Sequence, residues 1–364
     1  MRTMKPPSTI SWPAGLDATQ FLERYWQQAP LLLAGAFPGF DSPIDKHELA
    51  GLALDADEAA RLILHDPERD TRTVETGPFD EARFRSLEPS DWSLLVTDVE
   101  KLLPELDAWL TPFRFLPAWR IDDLMISHAP DGASVGAHVD EYDVFLLQAT
   151  GQRLWQWGGE LVSEAGADSE LERVLSYRPA HEHLLRPGDM LYLPPGAPHH
   201  GLAVGDDCTT WSIGFRAPTR GEMVSQLVDH LADELDDERY RDPRELLPLE
   251  RGRIDADSLA ALRRWWLSTA DDDAQFARAI GRWLSDTSAH SVPYLRRLWM
   301  PHPSDDTRAW LFVDGECHDC RRTFAMTLCE CEIGDLTALL GNSTLQPAEQ
   351  AIVEDILDQL EPWG

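Results

Sequence analysis

The stretch Gly136–Phe145, GAHVDEYDVF, decides how this chain is read. His138 and Asp140 stand two residues apart at the entrance to an apolar run. On an extended strand, residues i and i+2 project from the same face, so an imidazole and a carboxylate aim at one point. Alone, the pair is either two legs of a metal site or a polar patch at a strand end. A third ligand, a co-substrate anchor and a pocket would decide between the two.

The surrounding sequence offers candidates for each. About sixty residues on, LYLPPGAPHHG supplies His199 and His200 at a tight Pro/Gly turn. Two histidines and one carboxylate on one side of a metal leave the other side open, which suits non-haem Fe(II) sites that bind both an organic co-substrate and O2. A closed structural zinc site would want four ligands, usually including Cys, and no Cys flanks these positions. Arg153 follows the turn-like ATGQ, which reads as a hairpin connection. Its guanidinium can pair with a carboxylate through two parallel hydrogen bonds, as the far end of a dicarboxylate such as 2-oxoglutarate requires.

From Asp122 to about Pro218 short β-rich runs recur between turn signals: LMISHA, YDVFLLQA, RLWQW, EHLLRPGD, MLYLPPG and TTWSIGFRA. That texture predicts an antiparallel sandwich or barrel; taken with HVD, the Pro/Gly-turn histidine and Arg153, it reads as a double-stranded β-helix of the cupin or jelly-roll kind. Upstream, DATQFLERYWQQ reads as a short amphipathic helix capped by Asp17, followed by the strand-like PLLLAG. After Pro218 the spacing becomes helical in TRGEMVSQLVDHLADEL, DSLAALRRWWLSTA and DAQFARAIGRWLSD. The tail from Arg308 mixes a strand-like AWLFVDGE with EIGDLTALLG and the helical AEQAIVEDILDQL.

Composition narrows the partners. The net charge is -32, with only Lys5, Lys46 and Lys101 as lysines; it disfavours nucleic acid and anionic membranes and suits a basic protein partner, while solubility, habitat or genome base composition would explain the same bias. No apolar run approaches the ~20 residues that span a bilayer. The N-terminus lacks the apolar core of a signal peptide, and five Cys in 364 residues do not make a disulfide framework. The expectation is a soluble cytoplasmic protein.

Ser134–Gly158, SVGAHVDEYDVFLLQATGQRLWQWG, together with LYLPPGAPHHG and the later SIGFRAP, resembles the bacterial ribosomal oxygenases, cupin enzymes related to the JmjC family. ERYWQQAPLLLAGAF near the start and PFRFLPAWRIDDLMIS before the metal motif carry the same resemblance. It is specific over about residues 110–218 and looser in the helices and tail. It implies an α+β chain: a JmjC-type cupin domain over 1–217, a helical dimerisation module over 218–300, and a winged-helix-like domain over 301–364. It implies Fe(II) held by His138, Asp140 and His199, and 2-oxoglutarate anchored by Arg153, where human relatives carry a lysine. The implied reaction hydroxylates the β-carbon of an arginine in large-subunit ribosomal protein sixteen, with O2 consumed and succinate and CO2 released. Hydroxylation of histidine or another protein target by the same fold is the alternative, and a non-catalytic metal- or ligand-binding cupin is a further one.

Several neighbours carry secondary expectations. Asp131, in APDGASVG, is a candidate partner for a basic substrate side chain; an Asx turn would explain it equally. Tyr142 would line the substrate tunnel or pack in the core. Ser127 and Ser212 are candidate co-substrate contacts on barrel strands. His200 is expected at the rim and Asp143 as a strand-end hydrogen-bonder. Cys317, Cys320, Cys329 and Cys331 fall within fifteen residues and raise a zinc site, with buried free thiols as the alternative.

Overall fold

Alternating apolar residues in the central third of the chain produce long antiparallel strands with two buried faces. In chain order they are β1 (Leu31–Leu33), β2 (Ala60–Asp66), β3 (Thr71–Thr76), β4 (Trp92–Val96), β5 (Ile121–Ala129), β6 (Asp143–Trp157), β7 (Glu160–Glu164), β8 (Arg173–Arg178), β9 (His181–Leu185), β10 (Met190–Leu193) and β11 (His199–Phe215). The main sheet runs β1-β10-β6-β11-β5-β4-β2-β3, with β9 also paired to β6, and β7 and β8 form a separate hairpin. This computed structural model describes residues 6–66, 71–164, 173–232, 239–241, 256–268, 272–286, 296–331, 335–341 and 344–360.

One face of the long strands carries Val144, Leu146, Trp155 and Trp157, clustered with Leu185, Leu191 and Leu193. Register puts His199, Gly201 and Ala203 of β11 opposite Trp157, Trp155 and Arg153 of β6, so all six share this inner face. The opposite face, with Phe145, Leu147, Tyr192, Trp211 and Phe215, packs against N-terminal layers. Helix α1 (Ala18–Arg24) belongs to those layers, and Asp17 caps it by accepting from Gln20 N at 2.8 Å. Phe21 on α1 is fully buried, with ring centroids 4.9 Å from Tyr192 and 5.6 Å from Phe145. Burying such a ring contributes about 2–3 kcal/mol.

The ATGQ hairpin expected before Arg153 does not form. β6 is one continuous strand of 15 residues. Gly151 adopts φ +60°, and a Cβ there would lie 2.2 Å from Asp207 O. Its pairing with β11 shifts register between Val204 and Thr210, so the sequence signal marks a bulge that bends both strands rather than a turn that ends one.

The chain divides into two compact units, Met1–Ala217 and Pro218–Gly364. The second contains α2 (Arg220–Ala232), α3 (Ala256–Ser268) and α4 (Asp273–Ser285), then β12 (Arg297–His302), β13 (Asp305–Val313) and β14 (Glu316–Arg321) in one antiparallel sheet, and α5 (Arg322–Glu330), α6 (Leu336–Leu340) and α7 (Pro347–Leu360). β12 spans the boundary expected at residue 300, and residues 242–255 of the expected helical module lie outside the described ones. Gly281 of α4 sits against the Phe312 ring, where a Cβ would come within 2.3 Å. Among the described residues, no helix is long and apolar enough to cross a membrane.

Candidate metal centre and co-substrate pocket

His138 and His199 are locked to each other through the backbone. His138 N donates to His199 O at 3.0 Å, and His199 N donates to His138 O at 2.9 Å. Gly196 N donates to Asp140 O at 2.8 Å, tying the PPGAP turn to the same segment. The HVD motif therefore pairs with the start of β11, and this brings side chains sixty residues apart into one cluster.

The ligand atoms of His138, Asp140 and His199 all lie within 4.8 Å of one another, the one such group among the described residues. His199 Nε2 is 3.5 Å from Asp140 Oδ2, and His138 Nε2 is 3.9 Å from Asp140 Oδ1. Each imidazole Nδ1 lies 3.0 Å from a carbonyl two residues upstream, Gly136 O for His138 and Ala197 O for His199. A carbonyl only accepts, so Nδ1 carries the proton and the Nε2 lone pair is left for a metal. His199 is 2 % exposed, and burial, reinforced by neighbouring His138, pushes it down to about 3. It is thus neutral and ready to ligate at physiological pH. Burial raises Asp140, opposed by His138 and by a hydrogen bond from Tyr142.

Arg153 meets the requirement for an anchor. It lies on the same inner face as His199 and is 3 % exposed. Its Nε and Nη2 are buried without a hydrogen-bond partner. Its guanidinium carbon is 5.8 Å from the centre of the Trp155 ring. A buried cation lacking a carboxylate is costly, so the residues present fit a metal that carries an acidic co-substrate reaching Arg153. Ser127 and Ser212 lie on the inner face of β5 and β11, where Ser127 pairs with Thr210 and Met125 with Ser212. Ser127 Oγ donates to Thr210 O at 3.5 Å.

The other candidates sort as follows. Asp131 Oδ1 accepts from Gly205 N at 2.7 Å, joining its loop to the bend in β11. His200 lies opposite Gln156 on the outer face of β11, with Nδ1 3.4 Å from Gln156 Oε1, and is not in the metal cluster. Asp143 is fully buried and accepts from Tyr192 Oη at 2.6 Å, Arg120 Nη2 at 3.2 Å and Gln27 Nε2 at 3.3 Å, so it is a hydrogen-bonder at the strand end. Among the described residues the four tail cysteines join no metal-ligand group. Cys317 and Cys320 stand three apart on β14, on opposite faces. Burial pushes the thiols of Cys320 and Cys329 up to about 12, which keeps them protonated.

Three contributors escaped the sequence. Trp155, two residues beyond Arg153, shares its face by simple alternation and was open to detection. Tyr177 on β8 donates to Pro198 O at 3.1 Å, the carbonyl just before His199. The Arg72 guanidinium on β3 lies 3.1 Å from where a Gly136 Cβ would stand, and Gly136 has φ +96°. Neither of the last two has a local signal, because each arrives from a distant strand.

Residues 108–223 match the JmjC domain family. Ribosomal protein uL16 3-hydroxylase of Escherichia coli is 36% identical over 281 residues, 77% of this chain and 72% of that protein. Ribosomal oxygenase 2 of Bos taurus is 40% identical over 74 residues, 19% of this chain and 15% of that protein. The crystal structure of E. coli ycfD superposes with a TM-score of 0.80 at 30% identity, covering 96% of this chain and 98% of that one. The structure of the ribosomal oxygenase YcfD in complex with cobalt and 2-oxoglutarate gives 0.79 at 30% identity, with the same coverage. With this extent of likeness in sequence and fold, the chain belongs to the JmjC-domain ribosomal oxygenases.

Proposed function

We propose that this chain is an Fe(II)- and 2-oxoglutarate-dependent dioxygenase that hydroxylates the β-carbon of an arginine in ribosomal protein uL16. The observation that carries the reading is Arg153, a buried guanidinium with two unpartnered nitrogens on the inner face that also bears His199. It accounts for a dicarboxylate co-substrate, and the E. coli relatives account for the metal, the co-substrate and the ribosomal target.

His138, Asp140 and His199 would hold the iron through two Nε2 atoms and one carboxylate oxygen, leaving the opposite side open. When bound, the iron supplies O2 activation coupled to oxidative decarboxylation of 2-oxoglutarate to succinate and CO2, with one oxygen atom going to the substrate. The chain's own part is geometric and electrostatic. The Nδ1 hydrogen bonds fix both imidazoles and Arg153 orients the co-substrate by its far carboxylate, beside the buried apolar cluster of Trp155, Leu185 and Leu191. Asp131 and Tyr142 are read as the contacts to the cationic substrate side chain, and Ser127 and Ser212 as further co-substrate contacts.

Homodimerisation belongs to the same reading. Helix α3 buries no side chain and exposes Leu259, Leu262, Trp265 and Trp266, the aromatic-rich composition of an interface core. Residues 301–364 are read as a winged-helix-like domain that docks protein rather than nucleic acid, given the charge of -32. The reading also assigns the protein to the cytoplasm, where ribosomal proteins are made.

The test is turnover. Purified protein with Fe(II), 2-oxoglutarate and uL16 should release succinate in step with hydroxylated arginine, and Asp140→Ala should release none. Succinate release by Asp140→Ala at the parent's rate would overturn the site. Turnover confined to a histidine-bearing ribosomal protein would favour histidine hydroxylation.

A further inference from the structure

We infer that Gly201 is a specificity-determining position for the co-substrate: its missing side chain lets Trp155 and the stem of Arg153 lie flat on β11 and so sets the depth of the anion pocket. The inference rests on Arg153 being the co-substrate anchor.

Gly201 stands directly opposite Trp155 in the β6–β11 ladder and one inward position beyond His199. Side chains facing each other at such positions have Cβ atoms about 5 Å apart. A Cβ on Gly201 would meet Trp155 Cη2 and Cζ3 at 2.9 Å and Arg153 Cδ at 3.0 Å. These contacts are closer than carbon atoms tolerate. Gly201 is not among the glycines with positive φ, so its backbone accepts any residue and only space demands glycine.

The two neighbours that fill this space define the pocket. The Trp155 ring centroid is 5.8 Å from that of His199 and 5.8 Å from the Arg153 guanidinium carbon. Trp155 therefore spans the interval between a metal ligand and the anchor. Both Trp155 and Arg153 are almost fully buried, so neither can swing out to solvent to relieve a clash. A methyl group at 201 would drive the indole ring and the Arg153 stem inward, into the space that a five-carbon diacid must occupy between metal and guanidinium. His199 itself is held by backbone and Nδ1 hydrogen bonds that do not involve residue 201, so the metal site would be spared.

The experiment measures binding without turnover. Parent, Gly201→Ala, Trp155→Phe, Gly201→Ala/Trp155→Phe and Arg153→Ala proteins are loaded with Mn(II) and titrated with 2-oxoglutarate without oxygen, after Mn(II) affinity and melting temperature are recorded. Phe lacks the benzo carbons that collide, so the double variant removes the two closest contacts and leaves only that with Arg153 Cδ at 3.0 Å. The expected result is a co-substrate Kd raised about 10-fold or more by Gly201→Ala, with Mn(II) affinity unchanged. In the Trp155→Phe background the same substitution should cost less than about 3-fold. Equal losses in both backgrounds, failure of both Gly201 variants to fold, or a Gly201→Ala Kd matching the parent's while Arg153→Ala binds weakly, would overturn the inference alone. Arg153→Ala binding as tightly as the parent would overturn the anchor reading and the inference with it.

Discussion

His138 and His199 exchange both of their backbone hydrogen bonds, at 3.0 and 2.9 Å, although sixty-one positions separate them. The two imidazoles are therefore set by strand pairing, with ring centroids 4.2 Å apart, rather than assembled by the metal. It follows that the apo-protein holds its metal-binding geometry. His199→Ala should lose more than about 100-fold in Fe(II) or Mn(II) affinity, exceeding what loss of an outer hydrogen bond to a ligand costs, yet keep the parent's circular dichroism spectrum. Unfolding of the variant would contradict this picture.

Burial raises the Asp140 carboxyl, and His138 first and then Tyr142, two residues on, draw it back down, so the Tyr142 hydroxyl acts on the carboxylate of the triad. Tyr142→Phe keeps the ring and deletes the donor. Metal affinity should fall by about 10-fold, measured by competition with a chelator. An unchanged metal affinity with a raised substrate KM would instead make Tyr142 a substrate contact only.

Asp143, the first residue of β6, joins that strand to the N-terminal layers through Tyr192, Gln27 and Arg120. Its side chain is wholly buried and that of Arg120 nearly so. Asp143→Ala leaves a buried guanidinium without its carboxylate, which costs about 3–5 kcal/mol. Urea denaturation should show that loss, and a loss below about 1 kcal/mol would indicate that Arg120 is satisfied by Arg216 O and the Trp26 ring.

Glu100, 2 % exposed, accepts from Leu124 N at 2.9 Å where the strand pairing of β4 with β5 has ended. Burial raises its carboxyl from 4.5 to about 8, and neighbouring Lys101 only partly opposes this. A raised folded-state pKa means the folded protein binds the extra proton between these values. Stability from this group is complete below about 4.5 and is lost as pH rises through about 8. Glu100→Gln keeps an acceptor for Leu124 N and removes the titration, so its denaturation midpoint should fall less than the parent's between pH 6 and 9. Parallel pH profiles would contradict the assignment.

The clustering of His138, Asp140 and His199 was legible because HVD and PPGAPHHG each combine a chemical signal with a strong local structural one. The choice of His199 over His200 rests on alternation along β11, which puts them on opposite faces. Arg153 stands out in the sequence by its chemistry, but ATGQ before it carries a hairpin signal where pairing with β11 holds β6 as one continuous strand. Tyr177 and Arg72 were invisible because their approach depends on how remote strands fold over the site. Gly201 was in plain view beside the two histidines, but a glycine shows its purpose only when its cross-strand partner is known.

The most direct test of the central claim is mass spectrometry of uL16 from cells that possess or lack this protein. The account predicts a gain of one oxygen atom, localised to the β-carbon of a single arginine and present only when the protein is there with His138, Asp140 and His199 intact. The same oxygen on uL16 in cells lacking the protein, or no change on uL16 in either, would contradict it.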